Sequence, residues 1–194
     1  MKPKLVLIVC AALLVCAGCG NAHPSASRQL RTNQSGNQVE ASRAKTYQTM
    51  SELRKDSMAV LRVTATANRK STAADQAGQG PLQAVLTTVH VDKVISGSLA
   101  RGTVQIRQLS SPGGPSEDLP PLLAAGQAYY LYVMPFEFVR AHPIAGVYVV
   151  IGDVGQFHVD GDGTLRRALP GVGKLPATLT QAELEQDAAT TSAV

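Results

Sequence analysis

The sequence predicts a mainly β fold, an antiparallel barrel or sandwich, on three observations. Five or six short segments alternate apolar and polar residues or form short apolar runs, as β-strands do. Gly and Pro, which number 17 and 11 in the 194 residues, gather between these segments. No helical pattern separates successive strands, so the alternation typical of a parallel sheet is missing.

The first predicted elements are a helix and a strand. Tyr47, Met50 and Leu53 recur at three-residue spacing, which predicts a short helix within residues 44–55. Apolar and polar residues then alternate over residues 59–67, which predicts the first strand. Further strands are predicted at residues 82–94, 103–107, 129–134, 146–151 and 155–159, and residues 164–166 could return as the partner of the last of these.

The connections and the C-terminus carry turn and cap signals. Residues 68–81 and 110–126 are predicted loops, because Gly and Pro occur in both among polar residues. Asp160-Gly161-Asp162-Gly163 predicts a tight hairpin turn. Thr180-Gln181-Ala182-Glu183 has the form of a helix capping box, and it predicts a short helix that runs to about residue 189.

The most apolar part of the chain after its N-terminal region is predicted to lie at the centre of the fold. Residues 129–134 lack alternation, so both faces of that strand are expected to be covered. Seven of the eight aromatic residues lie between Tyr129 and Phe157. The densest part of the core is therefore expected there.

The order of these elements resembles that of a group of exported bacterial proteins of uncharacterised function. The resemblance rests on a strand that ends in a glycine turn (residues 93–97) and on a glycine followed by a Tyr-rich strand (residues 122–133). It covers residues 57–169 and implies a small barrel of OB type, similar to the netrin-like barrel of tissue inhibitors of metalloproteinases. Those inhibitors rely on an N-terminal Cys and on disulfides without counterpart here, so no inhibitory activity is implied.

The N-terminus resembles the signal peptide of bacterial lipoproteins. An eleven-residue apolar run, residues 5–15, is too short for a membrane span of about 20 residues. Residues 16–19, Cys-Ala-Gly-Cys, are similar to a lipobox, although Cys16 stands where that family usually has Leu. The resemblance implies cleavage before Cys19 and acylation of the Cys19 thiol. A plain secretory peptide that contains Cys is the alternative.

This resemblance predicts the domain organisation and the location. We expect a signal peptide (1–18), a polar tether that starts at lipidated Cys19 (19–43), a β-barrel domain (44–178), and a short helix with a tail (179–194). The protein would lie on the extracytoplasmic side of the cell membrane. Cleavage also removes the other two Cys residues, so no intramolecular disulfide is expected.

The charge balance gives little reason to expect a nucleic-acid partner. Cleavage would remove Lys2 and Lys4 and lower the formal net charge from +4 to +2. Residues 28–70 carry nine Lys or Arg against three acidic residues, so this segment could lie on anionic lipid or wall polymer. Scattered charges on a solvated tether are the alternative interpretation.

No established catalytic motif is present. The sequence has no Gly-x-Ser-x-Gly, no Walker A pattern and no Gly-x-Gly-x-x-Gly. A calcium loop counted from Asp160 fails, because its sixth and twelfth positions hold Leu165 and Gly171. We therefore predict no metal and no cofactor.

One candidate site remains for an enzyme. His90 and His158 lie on polar faces of their predicted strands, with Asp92 and Asp160 two residues further along. Adjacent strands could bring the two histidines together, whereas two exposed histidines on separate strands are the alternative interpretation. The leading hypothesis is nevertheless a non-enzymatic binding module for an envelope protein, a wall component or a small ligand. The alternatives are an envelope enzyme with a site near these histidines and a purely structural surface protein.

Overall fold

The computed structural model describes residues 45–70, 83–111, 117–139, 141–171 and 173–190. These parts of the chain form two α-helices and eight strands, with a short 3-10 turn (Ile151–Asp153) before the sixth strand. In chain order the elements are α1 (Met50–Asp56), β1 (Ala59–Lys70), β2 (Gln83–Gly97), β3 (Thr103–Ser110), β4 (Ala128–Val139), β5 (His142–Val150), β6 (Gln156–Val159), β7 (Thr164–Arg167), β8 (Thr178–Thr180) and α2 (Gln181–Thr190).

The first five strands close into a small barrel of the OB type, which confirms the predicted fold class. The strand order is β1-β2-β3-β5-β4, and β1 pairs with β4 to close the ring. All of these pairs are antiparallel except β3 with β5, where residues 105–107 run parallel to residues 147–149. A ring of five strands must contain a parallel pair, because directions cannot alternate around an odd number.

The last three strands extend the sheet beyond the barrel. β4 pairs with β5 along its C-terminal half and with β6 along residues 129–131. β7 and β8 continue from β6 as antiparallel neighbours, and α2 follows β8 and contacts β2 and α1. β8 was not predicted from the sequence, because its three residues are too few to show a pattern.

Two hydrophobic clusters lie on opposite faces of β4, as its unbroken apolar run predicts. The barrel-interior cluster is formed by residues from the barrel strands and the segment before β4: Ala59, Leu61, Val63, Ala65, Val89, Val91, Ile106, Leu123, Tyr129, Leu131 and Val133. The helix-side cluster packs the other face of the sheet against both helices: Tyr47, Leu53, Val60, Tyr130, Tyr132, Ile151, Val154, Phe157, Leu165, Leu175, Leu184 and Ala188. Aromatic residues concentrate in the helix-side cluster.

Both helix starts are fixed by side-chain caps. α1 begins later than the predicted range, because the Thr49 hydroxyl accepts a hydrogen bond from the Glu52 N–H at 3.1 Å. At α2 the predicted capping box is confirmed. The Glu183 N–H donates to Thr180 Oγ1 at 3.1 Å, and the Thr180 N–H donates to Glu183 Oε2 at 2.7 Å.

The predicted ends of some elements differ from the observed ones. β1 runs three residues past its predicted end, because Asn68, Arg69 and Lys70 still pair with β2. The predicted signal peptide, Cys19 and the tether lie outside the described residues. Neither α1 nor α2 has the length and apolar character that a membrane-crossing helix needs.

Candidate functional site

The two histidines of the candidate enzyme site lie on strands that are not neighbours, so the hypothesis that adjacent strands bring them together is not met and the alternative of separate strands is. His90 is exposed on β2, and His158 is on β6. Because the barrel closes through β1 and β4, these two strands lie between β2 and β6. Periodicity placed the histidines on strands correctly but could not show which strands are neighbours.

The Asp partners of these histidines are engaged in separate local bonds. Asp92 accepts a hydrogen bond from the Thr64 hydroxyl at 2.8 Å. Asp160 Oδ1 lies 3.0 Å from His158 Nδ1. The Arg166 guanidinium donates two hydrogen bonds to the other carboxylate oxygen, Asp160 Oδ2. His158 Nε2 lies 3.1 Å from Gln127 Oε1. In the part of the chain that the structure describes, no three His, Cys, Asp or Glu residues form a metal-binding group.

The Asp-Gly repeat forms the predicted hairpin turn. The Gly163 N–H donates to the Asp160 carbonyl at 2.9 Å, and the Asp160 N–H donates to the Thr164 carbonyl at 2.9 Å. The Asp162 carboxylate accepts from the Thr164 N–H, and this bond holds the pKa of Asp162 below its ordinary value. The Asp162 carboxylate and the two backbone hydrogen bonds of Asp160 stabilise the turn between β6 and β7.

Three segments that are remote from one another in the sequence build an apolar groove. It has a volume of about 500 Å³ and lies between the end of β3, the segment before β4 and the residues after β7. Its walls are mainly apolar, with polar groups contributed by two serines and a glutamate. The lining residues are Leu109, Ser110, Ser111, Glu117, Leu119, Pro120, Pro121, Leu122, Ala168 and Leu169.

A buried pair of amide side chains holds the wall of the groove. Gln108 on β3 and Gln156 on β6 are 5% and 1% exposed, and Gln108 Nε2 donates to Gln156 Oε1 at 3.0 Å. Both side chains also donate to the Pro121 carbonyl, at 3.2 and 2.9 Å. Gln108 Oε1 accepts from the Leu123 N–H at 2.9 Å. These bonds fix the segment before β4 against the barrel, so the groove does not need a ligand to form.

A second, smaller recess lies beside the groove. It has a volume of about 120 Å³ and shares Leu109, Leu119 and Pro120 with the groove. Arg107 lines it together with Val149 and Val150, and the Arg107 side chain is mostly buried. The Arg107 guanidinium lies over the Phe136 ring, 4.4 Å from the ring centre.

Several groups with raised pKa values lie elsewhere, on β4 and α2. Burial raises the pKa of Tyr130 to about 12, and a hydrogen bond from its hydroxyl to Glu185 adds to the shift. Burial also raises the pKa of the Tyr132 hydroxyl and that of Asp187. Tyr130 and Tyr132 lie on the helix side of β4, Asp187 lies on α2, and none of them lines the groove.

Sequence reasoning missed the groove and both amides. One usable signal was present, because Val104 and Ile106 set an inward face on β3 that continues to Gln108. A polar residue at an inward position indicates a buried hydrogen bond. The rest of the groove depends on contacts between segments that are far apart in the sequence.

Comparison with known proteins does not add to this geometry. No protein-family model matches the chain, and no curated protein matches it either. The groove and its lining are therefore the features from which a function can be inferred.

Proposed function

We propose that this protein is a lipid-anchored binding module of the cell envelope that holds a small apolar ligand in the groove. One observation carries the proposal, namely the apolar groove of about 500 Å³ with its fixed wall. Sites for small ligands have volumes of about 300–1,000 Å³, and they are mainly apolar with a few polar groups. The groove fits this description in both respects.

The rigidity of the groove supports binding. Gln108 and Gln156 both donate hydrogen bonds to the Pro121 carbonyl, and the proline ring restricts the backbone of the same segment. A wall that is already ordered loses little conformational entropy when a ligand enters. The free energy gained from burying the ligand is therefore available for affinity.

The N-terminal sequence supports a location at a membrane. The lipobox resemblance assigns an acyl anchor to Cys19, and the polar residues 19–43 would form a tether. A coil of this length has a root-mean-square reach of roughly 25–30 Å. The groove would then stay within reach of apolar molecules that leave or enter the bilayer.

Intact mass tests the anchor. The protein purified from its own membrane is expected to start at residue 19 and to carry the added mass of acyl chains. A Cys19→Ser variant should lack this mass. An unmodified wild-type chain, or a variant that still carries the acyl mass, would contradict the assignment of Cys19.

Photolabelling tests the groove. The full-length protein is placed in phospholipid vesicles with a long-chain fatty alcohol that carries a photoreactive group, and the labelled residues are located by mass spectrometry. We expect label on the groove segments around Leu109, Leu122 and Leu169. A Leu122→Asp variant should lose about tenfold or more of this label, because an acyl chain would bury an unpaired carboxylate.

The matched control changes an apolar residue outside the groove in the same way. Ile144 is 42% exposed on β5 and does not line the groove, so Ile144→Asp should leave the labelling unchanged. Equal labelling of the wild type and both variants, or label spread over the surface, would reject the groove as the binding site. A peptide that displaces the probe would instead favour an envelope protein as the occupant.

A further inference from the structure

We infer that the ligand of the groove is a single-chain amphiphile with an ammonium head, and that the head binds at Glu117 while the chain lies along the apolar walls. This inference rests on the proposed function, because it assigns the chemistry of the ligand of the same groove. It is carried by the polar part of the lining, where a carboxylate is the only charged group among the described residues.

The polar groups of the groove are a carboxylate and hydroxyls, so they present oxygen atoms that accept hydrogen bonds. Among the described residues of the lining, Glu117 is charged and none is Lys, Arg or His. The Ser110 hydroxyl donates its proton to the Ser111 carbonyl at 3.5 Å, so the hydroxyl oxygen keeps lone pairs that can accept. An ammonium group has three N–H donors and no acceptor. It therefore matches this lining, whereas a carboxylate head does not.

Glu117 combines exposure to water with a place in the groove lining. Its side chain is exposed, whereas Leu119 and Pro120, which follow in the same segment, are buried. An ionised group loses hydration free energy when it is buried, so the head of an amphiphile is favoured where water still reaches it. An alkyl chain is favoured where apolar walls exclude water, as Leu109 and Leu169 do. The groove thus separates a site for the head from a site for the chain.

The segment that carries Glu117 has negative charges only. Residues 108–139 contain Glu117, Asp118 and Glu137 and no Lys, Arg or His. Arg107 and Arg167 come just before two of the groove segments, but both side chains are buried, already have interaction partners and do not line the groove. Complementary charge selects a ligand and fixes its orientation. A cationic head is therefore directed to Glu117, and an anionic head is disfavoured.

Three photoreactive probes with the same chain and different heads test the inference. A fatty amine, a fatty alcohol and a fatty acid are each placed with the full-length protein in phosphatidylcholine vesicles, which carry no net charge, at mildly alkaline pH. For the wild-type protein we expect the amine to reach half-maximal groove labelling at a roughly three- to tenfold lower mole fraction than the alcohol. The gain is modest because Glu117 is exposed to water. The acid should gain nothing over the alcohol.

Variants of Glu117 connect this preference to one side chain. In Glu117→Gln the ratio between amine and alcohol should fall to near one, and in Glu117→Lys the acid should become the preferred head. Both variants are expected to fold, because Glu117 is exposed. Asp118→Asn is the matched control, since it removes the same charge from the next residue, which does not line the groove. Its ratio should stay close to that of the wild type.

The outcomes separate the inference from the proposed function. Equal labelling of the wild-type groove by amine and alcohol, or a preference for the acid, would overturn the ammonium head while the groove remained a binding site. An equal loss of the preference in Glu117→Gln and Asp118→Asn would overturn the contact with Glu117, because negative charge on this segment would then explain the preference without it. Absence of groove labelling by every probe would reject the proposed function itself.

Discussion

The two faces of β4 differ in how their buried polar atoms are satisfied. In the barrel-interior cluster, the Tyr129 hydroxyl accepts a hydrogen bond from the Ala124 N–H at 2.9 Å. In the helix-side cluster, the buried Tyr132 hydroxyl has no hydrogen-bond partner among the described residues, and neither have Arg54 Nε and Asp187 Oδ2. Buried polar atoms without partners cost free energy. In the barrel interior the Thr87 hydroxyl also has no partner among the described residues, but more of the atoms named here lie on the helix side. We therefore expect the helices to be held to the barrel less strongly than the barrel strands are held to one another.

The largest expected effect comes from a cavity in the barrel-interior cluster. Leu131 is fully buried there, and Leu131→Ala should lower the free energy of unfolding by about 2–5 kcal/mol. Denaturant unfolding followed by circular dichroism measures this loss. A loss of unfolding free energy below about 1 kcal/mol would contradict the expectation that the barrel-interior cluster is the more strongly held face of β4.

The matched change in the helix-side cluster is Leu184→Ala. Leu184 is also fully buried, but it lies on α2. We expect that removal of the Leu184 side chain lets α2 detach from the sheet while the barrel stays folded. Hydrogen exchange should then accelerate in α2 and stay slow in β1 and β4. Equal acceleration in the barrel would show that the two faces unfold together.

The next largest effect concerns the amides that hold the groove. Gln108→Leu would leave the Leu123 N–H without its acceptor and Gln156 Oε1 without its donor. We expect a loss of about 1–3 kcal/mol in the free energy of unfolding. Groove labelling by the fatty alcohol should fall too, because the segment before β4 would move. Gln105→Leu, on the same strand, serves as the control.

A smaller effect is expected at the start of α2. Thr180→Ala removes both hydroxyl bonds of the capping box, which should cost about 1 kcal/mol. Because the helix is held weakly, this loss should appear as faster amide exchange in α2. Thr178→Ala is a suitable control, since Thr178 is exposed and lies two residues before the cap. A slower exchange in Thr180→Ala would contradict the assignment.

The smallest effect is the pH dependence of the helix-side cluster. Burial raises the pKa of Asp187 above its ordinary value of 3.8, so the folded protein holds a proton there more readily than the unfolded chain. The ionised carboxyl lowers the free energy of unfolding by its full amount at pH values above its pKa in the folded state. This loss disappears as the pH falls to the pKa of the same group in the unfolded chain. Asp187→Asn should therefore stabilise the protein at neutral pH, by a few tenths of a kcal/mol because the side chain is partly exposed.

The test of this sign is a pair of unfolding curves. The difference between Asp187→Asn and the wild type should shrink between neutral pH and about pH 4. A difference that grows as the pH falls would contradict the assignment. The charge of Arg54 on α1 lowers the pKa of this carboxyl, and the carboxylate in turn raises the pKa of Tyr132 on β4, so both residues are kept in the comparison.

The sequence predicted the local elements well because local patterns encode them. Alternation located β1 and β6 to within a few residues, and the spacing of Thr180 and Glu183 located the start of α2. Each of these patterns reflects contacts within one element or its cap. The OB-type barrel followed from the resemblance and from the order of the elements.

Strand neighbours could not be predicted from such patterns. The pairing of β1 with β4, and of β4 with β6, joins segments far apart in the chain and separates His90 from His158. The groove has the same origin, because it combines the end of β3 with residues before β4 and after β7. The sequence shows which residue types occur in these segments, but it does not show which segments lie next to one another in the fold.

The parallel pair of β3 and β5 has a consequence for the kinetics of the fold. Only three residue pairs join these strands, fewer than join any other neighbours in the barrel, so this contact has the fewest backbone hydrogen bonds to hold it. The other barrel pairings are longer, so the barrel should assemble as a curled sheet and become a ring at this contact last. Ring opening in the folded protein should begin at the same contact. Arg107 is one of its three β3 residues, so this opening would also admit molecules to the recess that Arg107 lines.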